Sequence, residues 1–293
     1  MVYVLSGVFN MSKKACLVGI NKYEGSPLNG CVNDVILVAK ALTEKYGFSS
    51  SSLKVLTDKE ATKSNILEGL RWLTVGACPG DTLVFHYSGH GSQVVVEDPR
   101  DTHESDGFDE IICPVDLDFD RGTFIRDHEL GMYFKQLRNV KSLVILDSCH
   151  SGTGLRNGVH PLPEGVKNRF IAPPISNLLM SSAVSIDDDL RLHKIEGHPL
   201  SKSRSCIVDT YEQGDAILIS GCKDNQVSAD AYIGSRYHGA LTFYLMESLK
   251  DSNWKVPYST VIKTVNQKLR NFSYEQEPQL EGKKEFLKLN FLG

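Results

Sequence analysis

The stretch "TLVFHYSGHGS", Thr82 to Ser92, decides how this chain is read. It leaves the Pro79-Gly80-Asp81 turn as an apolar run of strand length and ends with His90 set between two glycines. A short continuous apolar run bounded by turn residues suits a strand buried on both faces, and strands of that kind build parallel sheets. A histidine just past the end of such a strand is either its last polar residue or a reagent.

Other runs of the same type lie on both sides. Upstream stand "ACLVGI" (Ala15 to Ile20) and "LKVLTD" (Leu53 to Asp58); downstream stand "KSLVILD" (Lys141 to Asp147), "DAILISG" (Asp215 to Gly221) and a final "FLKLNFL" (Phe286 to Leu292). Between them the apolar period changes to that of helices. From Val32 to Tyr46 it falls on Val35, Leu37, Val38, Ala41 and Leu42 and is closed by Gly47. Ala61 to Ala77, His128 to Leu137, Gly239 to Lys250 and Tyr258 to Leu269 read as further helices. Helix-length crossovers force parallel pairing with right-handed connections, so helices cover both faces of one sheet. The expected class is α/β: a mostly parallel central sheet of about six strands in a three-layer sandwich.

At 293 residues the chain has the length for one large domain. Residues 1–14 read as an arm and 15–293 as a single domain, divided into 15–150, an insert over 151–214 rich in Pro, Gly, Ser and charge, and 215–293. A formal net charge of −4 argues against a protein that neutralises nucleic-acid phosphates or anionic lipid. Seven cysteines, odd in number and without a Cys-x-x-Cys pair, fit neither a disulfide framework nor a structural zinc site, so a reducing cytoplasmic setting is expected. With no evident recruitment segment or leftover edge pattern, a monomer is the default expectation. The N-terminal apolar stretch is too short to span a bilayer.

In open parallel sheets, groups that act on ligands gather at the carboxyl ends of the strands. "VILDSCHSG" ends a second such strand with Asp147 and Cys149. If the two strands are neighbours, Cys149 faces His90, and an imidazole beside a thiol can lower its pKa and carry its proton. The backbone N–H groups of Gly91 and Cys149 are then candidate oxyanion donors. Alternation puts Asp147 on the same face as Cys149. Asp34, taken by itself, reads as a first-turn charge offsetting the helix dipole. A zinc site built from His86, His90 and Cys149 is the weaker alternative, because the two histidines lack helical i,i+4 spacing.

These motifs resemble those of the caspase-like cysteine peptidases, and within them the metacaspases. The resemblance rests on "HYSGHGS", "DSCHSG", "GINKY...LNGCVNDV", "SGCKDNQVSADA" and "EPQLEG", and it spans the chain from about Ala15 to the end. It implies a caspase-like sandwich in which Cys149 attacks the peptide carbonyl and His90 protonates the leaving amine, with no cofactor required for the chemistry. It also implies protein substrates with Arg or Lys before the cut bond, received by Asp34 and Asp147.

For calcium, which many metacaspases use, the matching carboxylates are Asp109 and Asp127, with Asp106 or Glu129 as helpers. The sequence departs from that pattern in having a single aspartate in "RDHE" and Arg156 in "GTGLRN". The insert carries Arg156, Lys167, Arg169, Lys194, Lys202 and Arg204, so self-cleavage is expected there, near "VKNRF" or "LSKSRS". The remaining cysteines, Cys222 among them, read as small core or surface residues.

Overall fold

The computed structural model describes residues 11–96, 108–149, 165–174, 214–223 and 226–293. Most of the N-terminal arm, the acidic loop with Asp106, and Arg156, Lys194, Lys202 and Arg204 lie outside the described residues.

The central sheet uses the apolar runs around Thr82. It contains β1 (Lys13–Gly19), β2 (Leu53–Thr57), β3 (Thr82–Ser88), β7 (Lys141–Asp147), β9 (Ala216–Ser220) and β12 (Gln279–Glu281), in the order β12-β9-β7-β3-β1-β2. All pairs are parallel except β12 with β9. Because side chains alternate along each strand, the central strands feed two cores. Cys16, Val18, Phe85, Tyr87, Val144 and Leu146 pack with Ile66 and Leu70 of α2 (Lys63–Thr74) and with Phe134 of α3 (Asp127–Lys135). Ala15, Leu17, Val84, Leu143 and Ile145 pack on the opposite face with α1 (Cys31–Lys45), α4 (Ala240–Asp251) and α5 (Tyr258–Asn271). This is the expected three-layer sandwich.

Two small sheets stand at the carboxyl end of the central one. The first is antiparallel, β4 (Gly91–Val95), β5 (Phe108–Ile112) and β6 (Ile125–Arg126), and begins one residue after His90. The second joins β8 (Lys167–Asn168), β10 (Ala229–Ile233) and β11 (Arg236–Gly239).

One expectation is corrected. "FLKLNFL" is no strand: Phe286–Lys288 forms a single 3-10 turn, and Phe291 and Leu292 sink into the α1/α4/α5 core. Its apolar residues serve a layer rather than a pleat. The sixth strand is Gln279–Glu281 inside "EPQLEG", a short polar edge with no alternation to announce it. Among the described residues no helix is long and apolar enough to cross a membrane.

Helix α1 approaches β1 closely enough to exclude a side chain. A Cβ added to Gly19 would lie 2.6 Å from the carbonyl oxygen of Cys31, which is backbone and cannot yield cheaply. Gly19→Ala is expected to cost about 1–3 kcal/mol through this overpacking. Urea denaturation checks it; an unchanged midpoint would show that α1 has room to shift.

Candidate active site

The register of the central sheet sets the site. β3 and β7 are neighbours with Ser88 opposite Asp147, and each chain runs two residues further, one to His90 and the other to Cys149. Both residues are buried, as are Asp34 and Asp147.

His90 is held on all sides but one. Its Nε2 lies 2.8 Å from the Ser26 carbonyl, and the Tyr23 ring meets the imidazole edge-on with centroids 4.6 Å apart. A carbonyl only accepts, so Nε2 carries the proton and Nδ1 is the lone-pair nitrogen of the neutral ring. No described group bonds Nδ1. The backbone is fixed as well: the His90 N–H donates to the Tyr23 hydroxyl at 3.1 Å, and the Tyr87 hydroxyl donates to the His90 carbonyl. Burial pulls the imidazole pKa down to about 4, helped by the nearby Arg169 cation and opposed by the Ser26 carbonyl.

Cys149 lies against Cys222, with Phe170 and Val227 completing an apolar cluster. Its sulfur accepts the Ser228 N–H. Cys222, read from sequence as a small core or surface residue, packs against Cys149 and donates its thiol to the Gln226 carbonyl at 3.3 Å; the neighbouring Cys149 and burial together push the Cys222 thiol pKa well up. Cys222 thus remains a protonated neighbour.

The cleft beside these residues holds a piece of the chain itself. Lys167–Asn168 adds as a strand to β10, the Arg169 N–H donates to the Ser228 carbonyl at 3.1 Å, and Gly91 bridges Phe170 in parallel fashion. The Arg169 carbonyl oxygen receives the N–H groups of Gly91 at 2.9 Å and of Cys149 at 3.2 Å. The two donors singled out from the sequence therefore converge on one peptide oxygen, close to the 2.7–3.1 Å range typical of an oxyanion hole.

The Arg169 side chain is fully buried in a pocket of three carboxylates. Nη2 contacts Asp34 at 2.8 Å and Asp230 at 3.1 Å, and Nη1 contacts Asp147 at 3.1 Å. Burial alone would disfavour the guanidinium charge, but Asp147, Asp34 and Asp230 outweigh it and raise the pKa above its ordinary value. The carboxylates are themselves secured. Asp34 accepts from Ser88 (2.7 Å), His238 (3.0 Å) and the Gly239 N–H. Asp147 accepts from Ser228 (2.8 Å) and from the Thr242 hydroxyl (2.7 Å) and N–H (2.8 Å). Asp230 accepts from the N–H groups of Asn29 and Gly30. Asp34 does sit in the first turn of α1, yet its carboxylate faces the pocket. Asp230, within "SADA", is a pocket acid that the sequence pattern does not single out, because an isolated aspartate has no periodic signature of its own.

This arrangement can hold an extended peptide by its backbone and receive a basic side chain, with a buried thiol and a neutral imidazole just past the ends of the two neighbouring strands. Residues 13–157 match the family described as metacaspase, peptidase C14 domain. The chain is 34% identical to Metacaspase-1 of Meyerozyma guilliermondii over 96% of its own length and 71% of that protein's. It is 33% identical to Metacaspase-1 of Ajellomyces capsulatus, covering 92% of this chain and 79% of that one. This chain belongs to the metacaspase family. Its class is accordingly that of a cysteine-type peptidase, a hydrolase. Among solved structures it is similar to a protein of Geobacter sulfurreducens (TM-score 0.65, 27% identity, covering 96% of this chain and 98% of that one). It shares its fold with Caspase-1 of Spodoptera frugiperda (TM-score 0.52, 13% identity, covering 93% of this chain and 86% of that one). The metacaspase sheet is thus caspase-like.

The two carboxylates matched to calcium, Asp109 and Asp127, do come together in this metacaspase, with His128 beside them. Asp109, Asp127 and His128 offer ligand atoms within 4.8 Å of one another. The Arg126 guanidinium, however, lies 3.1 Å from Asp109, and the third donor is an imidazole. Calcium takes six to eight oxygens, so the described donors do not fit it. His86, from the zinc alternative, lies within β3 and meets Thr242 at 3.3 Å.

His86, like His90, has its pKa lowered to about 4, chiefly by burial. An unfolded histidine titrates near 6.5. The unfolded chain therefore binds more protons between about pH 6.5 and 4, and the stability present above that window is lost as pH falls through it. Thermal melts from pH 7 to 4.5 should show a steep fall in Tm, and His86→Leu should flatten it. Parallel curves for the two proteins would contradict the assignment.

Proposed function

We propose that this metacaspase is a cysteine endopeptidase that cleaves after Arg, and less efficiently after Lys, with Cys149 and His90 as its catalytic pair, and that the Arg169–Phe170 bond of the chain itself is a substrate. The observation that carries the reading is the seating of Arg169: side chain among carboxylates, carbonyl oxygen on two N–H donors, Cys149 alongside.

In this reading His90 Nδ1 takes the thiol proton as the sulfur bonds to the carbonyl carbon. The carbonyl oxygen gains the negative charge and keeps its bonds to the Gly91 and Cys149 N–H groups, which strengthen as the charge develops. Collapse breaks the C–N bond, and the imidazolium gives its proton to the departing nitrogen of Phe170, leaving a thioester on Cys149. A water, deprotonated by the same imidazole, then releases the carboxylate product and the free thiol. A lowered imidazole pKa keeps the base unprotonated at neutral pH, and departure of the Arg169 cation on turnover removes one of the causes that lower it.

Preference for arginine follows from the fork. Two guanidinium nitrogens reach three carboxylates at once, a geometry that a single ammonium point cannot reproduce. A buried cation without such partners would be strongly disfavoured. No step runs through a metal.

Reporters ending in Arg, Lys, Asp and Asn test the reading. Expected is cleavage in the order Arg, then Lys, with Asp and Asn untouched, abolished by Cys149→Ala and unchanged in excess chelator. Asp230→Asn should lower kcat/KM for the arginyl reporter about 30-fold or more, since removing one member of a buried charge set typically costs 2–5 kcal/mol. Cleavage after Asp would overturn the pocket assignment, and loss of activity in chelator restored by calcium would overturn the metal-free reading.

A further inference from the structure

The cleft continues beyond the candidate cut bond, and the chain shows what it holds there. Phe170 is only 8% exposed and packs against Cys149, Cys222 and Val227. Its ring thus lies on two sulfurs and a branched aliphatic side chain, with no cation among the cluster's members to receive an acidic residue. Sulfur–aromatic contact is itself favourable. One residue further on, the chain is gripped by its backbone: the Ile171 N–H donates to the Gly91 carbonyl at 3.0 Å, and the buried Ser92 hydroxyl donates to the Ile171 carbonyl at 2.6 Å. Backbone bonds accept nearly any side chain, whereas an apolar pocket does not.

We infer that the cluster of Cys222 and Val227 beside Cys149 is a leaving-side subsite that selects a large apolar or aromatic residue immediately after the cut bond, while Gly91 and Ser92 hold the next residue by its backbone. This rests on the reading that the cleft cuts after Arg169. The same Gly91 then serves both sides of the cut, donating to the carbonyl under attack and accepting from the leaving segment. Cys222 acquires a role as floor of the subsite, which explains a buried thiol at a position where the α/β layering requires none. Placing a carboxylate in this pocket means burying an unpaired charge in the field of Glu110 and Asp147, so acidic residues are rejected more strongly than small ones.

The test is a set of internally quenched peptides, Val-Lys-Asn-Arg-X-Ile-Ala-Pro, with X as Phe, Leu, Gly or Asp, cut by the full chain. The intact chain's own segment competes equally with every peptide, so ratios of kcat/KM are unaffected by it. Expected is kcat/KM for Phe and Leu about 10- to 100-fold above Gly, the gain from burying one large side chain, with Asp lowest. Val227→Arg should raise the Asp-to-Phe ratio at least tenfold, as an opposite charge enters the pocket. A flat panel, all peptides being cut after Arg at equal efficiency, overturns the subsite and leaves the arginine reading standing. If neither the peptides nor an arginyl aminocoumarin reporter is cut, the arginine reading falls and this inference falls with it.

Discussion

The contact between the Arg169 guanidinium and the carboxylates of Asp34, Asp147 and Asp230 organises the carboxyl end of this sheet. Those acids come from a helix, a central strand and a strand of a small flanking sheet, and all are buried. Three negative charges gathered away from water repel one another strongly at the low effective dielectric of an interior. Hydrogen bonds from Ser88, His238, Gly239, Ser228 and Thr242 offset part of that cost, but none of the hydroxyl or amide donors carries a full charge. A planar cation with several donors completes the set. The pocket is therefore built around a guanidinium, and the chain supplies its own.

Anchoring that side chain also fixes the peptide attached to it. Once Arg169 is seated, its N–H meets Ser228 and its carbonyl meets Gly91 and Cys149, so a charge contact on one side of the sheet's end sets the backbone register across the cleft. Ser228 links the two: its hydroxyl bonds Asp147, its carbonyl takes the Arg169 N–H, and its own N–H reaches the Cys149 sulfur. His90 is placed independently by Tyr23, Tyr87 and Ser26, groups that do not touch the pocket's acids. The carboxylate pocket and the imidazole thus rest on separate sets of contacts.

Much of this was legible in the chain. Four central strands, β1, β3, β7 and β9, announced themselves as apolar runs because burial on both faces leaves no polar alternation, and helix-length spacers dictated parallel order. With neighbouring strands established, His90, Cys149, Gly91 and Asp147 follow from position at strand ends. What the sequence hid has common physical causes. β12 is a polar edge of three residues, too short to carry a period. Asp230 and Cys222 matter through partners about 200 and 70 positions away in the chain, Gly30 and Cys149, contacts that no local pattern encodes. Arg169 stood among several basic residues of one insert, and only its seat in the cleft distinguishes it from Lys167, whose ammonium reaches the Pro27 carbonyl instead.

The central claim is that the segment lying in the cleft is bound as a substrate and not merely as a plug. Intact-mass spectrometry of the freshly purified chain over time measures this directly. The account predicts two fragments that meet between Arg169 and Phe170 in the wild type, and a single uncut mass for Cys149→Ala. Fragments joined at any other bond while 169–170 stays whole, or the same fragments from Cys149→Ala, would contradict it.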